Sequence, residues 1–168
     1  AKANDTTIFP KKINSSKIGV MGISSGGQLA LMLGETANVD AFENSNCEHA
    51  ASSEVQAVVS YAALADVEEA WGTGQNLIRP MYQGLLSLWN SEQLITTNFN
   101  NLSPDVVDAL NSASPSYFVG GNTTPVRLIH AINDILAPPA ASSCFYNAAA
   151  SANRDSSMLW FGTGSPLF

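Results

Sequence analysis

The chain has 168 residues, of which 45% are hydrophobic and 12% charged, and its net charge is −7. This is one domain's worth of globular sequence. Its acidity argues against nucleic acid or an anionic membrane as a partner, and no apolar run reaches the ~18 residues that a membrane span needs.

The first sixteen residues read as the tail of a helix and a loop, punctuated by Pro10 and Asn14-Ser15-Ser16. A strand is expected over 17–22, then a glycine-rich turn, then a helix over 25–37. Residues 38–53 are polar and read as a surface loop. The near-continuous apolar run Val55-Gln56-Ala57-Val58-Val59-Ser60-Tyr61-Ala62 suits a strand buried on both faces. Residues 66–122 form a long polar and aromatic excursion, a cap-like insertion holding Trp71, Tyr82, Trp89 and Phe99. Within it Ser103 and Pro104 open a short helix, as N-cap and first residue. A third strand covers 126–131, a loop holds Asp134, and a helix over 140–152 leads to a last strand over 158–161.

Strands alternating with helices imply parallel βαβ units. The expected fold class is α/β, with a parallel sheet of about four strands in sequence order flanked by helices. In such sheets chemistry gathers at the carboxyl ends of the strands. Ser24 follows the first strand and Asp134 the third, so both belong to that edge.

The turn Gly22-Ile23-Ser24-Ser25-Gly26-Gly27 carries the chemistry. A bare G-x-S-x-G has a chance occurrence of roughly one in ten at this glycine and serine content. Here it stands between an apolar strand and a helical run without breakers, which is the setting of a nucleophile elbow. Glycines are expected where a Cβ would collide with strand or helix, and a strained serine backbone would lift Oγ above the sheet. The competing reading is an ordinary or phosphate-binding βα turn. Neither G-x-G-x-x-G nor G-K-[ST] is present.

The run Lys17-Ile18-Gly19-Val20-Met21-Gly22-Ile23-Ser24-Ser25-Gly26-Gly27-Gln28-Leu29-Ala30 resembles the elbow of α/β-hydrolase carboxylesterases, closest to the branch of hormone-sensitive-lipase-like and feruloyl- or acetylxylan-type esterases. Ser114-Pro115 and the stretch from Thr124 to Pro138, with His130 and Asp134 inside it, resemble the acid-bearing segment of that branch. The resemblance implies a partial α/β-hydrolase fold over 1–168, with Ser24 as nucleophile, the Ser25 N–H as oxyanion donor, Gly22 and Gly26 as elbow glycines and Asp134 as the triad acid. It implies a small-molecule ester as substrate and no cofactor or metal.

Three departures accompany the likeness. Ser165 stands where such enzymes place the triad histidine. Residues 1–16 hold no HGG-type oxyanion loop, and the upstream half of the usual sheet is missing from the chain. Only His49 and His130 offer an imidazole. His49 belongs to a loop on the edge away from the serine. His130 lies two strands from Ser24, roughly 10 Å at ~4.8 Å per strand, beyond the ~2.6–3.2 Å of a direct bond; it is expected to shape the acid loop. A serine hydroxyl at 165 has no pKa suited to a base near neutrality.

The expected activity is therefore carboxylic-ester hydrolysis through Ser24, impaired in this chain. Two other readings remain: a catalytically inactive hydrolase-fold binding module, and a serine peptidase of the same fold. The open edge of the first strand favours self-association. Trp71, Tyr82, Trp89, Tyr117 and Phe118 are candidates for a pocket lining, with plain core packing as the simpler role. Cys47 and Cys144 are expected as free thiols, because a domain of this size needs no staple. The sequons at Asn4, Asn14, Asn101 and Asn122 are no more than this composition supplies. Low charge and Asn/Ser richness lean towards an exported protein.

Overall fold

A computed structural model of the protein describes residues 13–14, 16–37, 39–43, 52–73 and 103–162. Four parallel strands form one sheet in the order β1-β2-β3-β4: β1 (Gly19–Ile23), β2 (Ala57–Tyr61), β3 (Val126–Ala131) and β4 (Ser156–Phe161). Between them run α1 (Ser25–Thr36), α2 (Val67–Thr73), α3 (Pro104–Ser112) and α4 (Pro139–Ser151). Short 3₁₀ turns cover Asp40–Phe42 and Pro115–Phe118. Strands and helices expected from the sequence differ from these bounds by one or two residues, apart from α2, which the sequence reading missed.

Strand order and chain order coincide, so every right-handed crossover advances the same way and sets its helices on one side of the sheet. Alternation along each strand then decides what is buried. Val58, Val126 and Leu128 meet Ala30 and Leu31 of α1 and Phe145 and Ala149 of α4 in the main core. The alternate positions Met21, Ile23, Tyr61, Ile129, Leu159 and Phe161 face the other way, where no described helix lies. Met21, Ile23, Leu159 and Phe161 are exposed there, and the Tyr61 and Phe161 rings meet with centroids 6.4 Å apart.

α1 is seated closely on β2. A Cβ on Gly34 would come within 2.6 Å of Val58 Cγ2, and one on Gly27 within 3.0 Å of Ser60 Oγ. The Ser60 hydroxyl uses that approach to donate to the Gly27 carbonyl. Apart from Glu35, α1 carries no charged side chain. The Glu35 carboxylate is buried and paired with Arg154, which follows α4 and also donates to the Thr124 carbonyl at 2.6 Å. Burial pushes the Glu35 carboxyl above its ordinary value, and the Arg154 guanidinium offsets part of that rise.

The described parts of the 66–122 stretch pack on the body of the domain. Val67 and Ala70 of α2, Val106 and Leu110 of α3 and Ala141 of α4 form a second core. Asp66 caps α2 by accepting from the Glu69 N–H at 2.8 Å. Buried Ser114 accepts from the Val67 N–H and donates to the Leu110 carbonyl, tying α2 to α3. Ser103 occupies the N-cap position of α3 but makes no side-chain cap bond. Phe118 packs edge-to-face on Phe42 and Tyr117. Tyr82, Trp89, Phe99 and the side chain of Trp71 lie outside the described residues, as do Cys47, His49 and Ser165. Cys144 is a free thiol; burial first, then the Asp66 and Glu69 carboxylates, push it up and keep it protonated.

Candidate active site

β1 runs directly into α1 through Ser24, whose backbone sits at φ 54°, ψ −122°. A non-glycine residue held there stores on the order of 1–3 kcal/mol of strain. Two hydrogen bonds hold it: the Ser24 N–H donates to the Tyr61 carbonyl at 2.8 Å, and its carbonyl accepts from the Gln28 N–H at 3.0 Å. Ser24 is thus the N-cap of α1. A serine at such a position normally spends its hydroxyl on an N–H of the first turn. Here the side chain makes no cap bond, because the positive φ turns it out of the helix. Ser24 is exposed, and the N–H groups of Ser25, Gly26 and Gly27 open the helix without intrahelical acceptors. The result is an uncommitted hydroxyl beside a set of N–H donors, suited to a developing oxyanion.

The glycines around it differ in purpose. A Cβ on Gly22 would lie 2.0 Å from the Gly26 carbonyl oxygen, so the turn closes only with glycine at 22. A Cβ on Gly26 would meet nothing within 4 Å. The steric demand expected at Gly26 falls instead on Gly22 and Gly27.

Asp134 stands in the turn after β3, on the same carboxyl edge of the sheet as Ser24. It is buried, and its Oδ1 accepts from the Leu136 and Ala137 N–H groups at 2.9 and 3.0 Å. Oδ2 has no hydrogen-bond partner among the described residues, although it too is buried. An unpartnered buried carboxylate oxygen is costly, and it is the acceptor that a histidine N–H would need.

His130 does not supply that N–H to the serine. Its ring is fully buried and engaged at both nitrogens. Nε2 lies 2.9 Å from the Ala137 carbonyl, which can only accept, so the proton is on Nε2. Nδ1 then accepts from the Ser142 hydroxyl at 2.8 Å. Asp134 Oδ2 is 3.4 Å from Nε2, a close electrostatic neighbour outside good hydrogen-bond distance. Burial lowers the His130 pKa below its ordinary value of 6.5, more than the Ala137 carbonyl and the Asp134 carboxylate raise it. His130 is thus neutral near pH 7 and braces the acid turn, as expected from the sequence. The Ser142 hydroxyl was not anticipated: nothing in the sequence marks a serine twelve residues away as its partner. The Tyr61 carbonyl that holds Ser24 was equally silent, since any residue supplies one.

No cluster of three or more metal-ligating side chains occurs among the described residues, and none of their helices is long and apolar enough to cross a membrane.

A parallel sheet with a strained serine between its first strand and helix defines an α/β-hydrolase. Residues 10–149 match the BD-FAE family model, and the chain belongs to that family. No curated protein sequence matches it. Among solved structures, it is similar in fold to an acylaminoacyl peptidase from Pyrococcus horikoshii, with TM-score 0.65 and 16% identity over 96% of this chain and 21% of the peptidase. A truncated carbohydrate esterase from gut microbiota gives TM-score 0.67 and 19% identity over 92% of this chain and 54% of the esterase. An acetyl ester-xyloside bifunctional hydrolase from Caldicellulosiruptor lactoaceticus gives TM-score 0.60 and 20% identity, over 91% and 48%. The chain spans about half the length of these two proteins and about a fifth of the peptidase. The fold is thus the one that these esterases and peptidases share.

Proposed function

We propose that this chain carries the nucleophile-and-acid half of a serine carboxylic-ester hydrolase. The Ser24 hydroxyl attacks the acyl carbon, the Ser25 N–H stabilises the oxyanion, and Asp134 orients the base through Oδ2. The observation that supports this reading most is the Ser24 backbone at φ 54° with its hydroxyl left out of the helix cap. A turn serving only architecture gains nothing from that strain. The buried Asp134 Oδ2, which makes no hydrogen bond among the described residues and has the His130 Nε2 3.4 Å away, is a second support.

No described residue can serve as the base. His130 is consumed by Ala137 and Ser142, and His49 lies outside the described residues. Without a base, serine hydrolases retain roughly 10³–10⁴-fold catalysis over water, carried by the oxyanion donors and substrate binding. With the described residues alone, ester cleavage at Ser24 is therefore slow. A peptidase of the same fold has one observation in its favour, the likeness to the acylaminoacyl peptidase. Slow chemistry prefers an ester, whose alkoxide leaves without a proton donor more readily than an amine.

The test is p-nitrophenyl acetate turnover and fluorophosphonate labelling of the purified chain beside Ser24→Ala. Slow turnover and labelling, both lost in the variant, are expected. Equal rates for the two proteins would remove Ser24 as nucleophile, leaving a binding module. Faster cleavage of an anilide than of the matched ester would turn the assignment to a peptidase.

A further inference from the structure

Among the described residues, three other than glycine have a positive φ: Ser24 at 54°, Ala62 at 49° and Asn153 at 54°. Two of them have evident reasons. Ser24 forms the tight turn into α1. Asn153 is the left-handed residue that closes α4, where the Arg154 N–H donates to the Ala149 carbonyl and the Asn153 N–H to the Ala150 carbonyl. Ala62 ends no helix, and its methyl group can make no hydrogen bond to offset the crowding between Cβ and backbone at this φ. A strained residue persists only where its surroundings hold it, and such residues cluster at functional sites.

What holds Ala62 is the sheet. β1 and β2 are in register at Ile23 and Tyr61, and β2 and β3 at Tyr61 and Ile129. One residue further along, Ala62 stands between Ser24 on one side and His130 on the other. The peptide that joins Tyr61 to Ala62 is bonded both ways. Its carbonyl accepts from the Ser24 N–H at 2.8 Å, and its N–H donates to the Ile129 carbonyl at 2.8 Å. Ser24 is thus fastened to a peptide unit whose far side is anchored to β3, the strand that leads into the Asp134 turn.

The positive φ at Ala62 has a second effect. It ends β2 at that peptide and sends the chain into the helix layer. There Ala63 and Ala65 join the core with Ala30 and Leu31 of α1, and Leu64 joins the core with Val67, Leu110 and Ala141. β3 continues further, pairing with β4 through Ala131 and Phe161. β2 therefore stops short where the carboxyl edge passes from Ser24 to the turn holding Asp134. An extended residue at 62 would carry the strand on into that interval, where a base has to stand to reach both side chains.

Glycine would reach the same φ without strain, but it also populates much of the remaining backbone map. A residue with a Cβ has only a small left-handed well. With Ala62 in that well, the peptide before it has little room to rotate. We infer that Ala62 is a positioning residue for Ser24: its confinement fixes the Tyr61–Ala62 peptide, which holds the serine N–H, and it keeps β2 clear of the interval between Ser24 and Asp134. The inference rests on the proposed role of Ser24 as nucleophile and adds the residue that keeps that nucleophile in place.

Amide hydrogen exchange and fluorophosphonate labelling of Ala62→Gly and Ala62→Ser, beside the parent, test it. Ala62→Gly widens the backbone freedom at this position, whereas Ala62→Ser keeps a Cβ. In Ala62→Gly the Ser24 amide should exchange about two- to fivefold faster, the factor that corresponds to the extra freedom of glycine, and labelling should slow by a similar factor. The Gln56 and Val58 amides, bonded to the Ile18 and Pro125 carbonyls at the other end of the same strands, should keep their parent rates. Ala62→Ser should behave as the parent throughout. Unchanged Ser24 exchange or unchanged labelling in Ala62→Gly would overturn the inference. So would faster exchange at both ends of the strands, which marks a general loss of stability, or an equal effect of the two substitutions, which marks packing of the methyl group. An Ala62→Gly chain that does not fold would overturn it as well. Should the parent show no labelling at Ser24, the nucleophile assignment falls instead, and the exchange rates alone decide whether Ala62 holds the turn.

Discussion

Gly22 and Gly26 flank Ser24 symmetrically in sequence, yet a single methyl group distinguishes them. At Gly22 it would overlap the Gly26 carbonyl, whereas at Gly26 it would point into open space. Gly22→Ala should therefore disrupt the elbow, abolish fluorophosphonate labelling and lower the melting temperature. Gly26→Ala should keep the fold and gain up to about 1 kcal/mol by restricting the unfolded chain at a helical position. Thermal melts and labelling rates of the two variants check this pair. His130 gives a prediction in pH. Its pKa is lowered in the folded state, so the unfolded chain takes up the proton first on acidification. The stability His130 provides is fully present above about pH 6.5 and falls as the pH drops from there through the lowered folded value. Urea midpoints should show this acid-side loss in the parent and lack it in His130→Gln, which starts from a lower plateau.

At the scale of elements, α1 approaches β2 closely enough that only glycine fits at 34. Gly34→Ala should cost about 1–3 kcal/mol through overpacking against Val58, and Val58→Ala in the same chain should return part of that loss, because the two residues share one contact. Denaturant titrations of the two single variants and the double variant close the cycle. The same contact marks how far the sequence could be read. The apolar runs of β2 and β3 and the glycine-serine turn before α1 announced the strands, the helix and the tight turn at Ser24, since each is a local pattern. α2 was missed although Asp66-Val67-Glu68-Glu69 holds a cap signal, with Asp66 three residues before Glu69; the surrounding polar and aromatic residues hid its short apolar face. The role of Ser114 emerged only from tertiary structure, where it joins α2 to α3 across 47 residues of chain. His130 was read correctly as a brace because the strand spacing alone put it out of reach of Ser24. The hydroxyl that completes the brace depended on how α4 docks, which no local pattern encodes.

At the largest scale, among the described residues, one side of the sheet is covered by helices and the other presents Met21, Ile23, Leu159 and Phe161. That surface should bind an apolar reporter dye more strongly than a closed domain of equal size. Ile23→Thr together with Phe161→Thr should weaken dye binding while leaving the helix-covered core intact, as fluorescence titration would show. The buried pair of Glu35 and Arg154 also acts over the full molecule. Replacing Arg154 by methionine would strand the Glu35 carboxylate and should cost about 3–5 kcal/mol.

That pair also orders events in time. β1, α1 and β2 make one local unit, and β3, α4 and β4 another; each can form from neighbouring residues. Glu35 belongs to the first, but its counter-charge is supplied 119 residues later by the second. On a ribosome the first unit therefore emerges with an acid in its prospective interior and nothing to neutralise it. It should stay loosely packed, its carboxyl drawn to water, until Arg154 has left the exit tunnel. The salt bridge is in this sense a latch that closes only once Arg154 is available, and nascent chains stalled before and after residue 154 should differ sharply in resistance to protease.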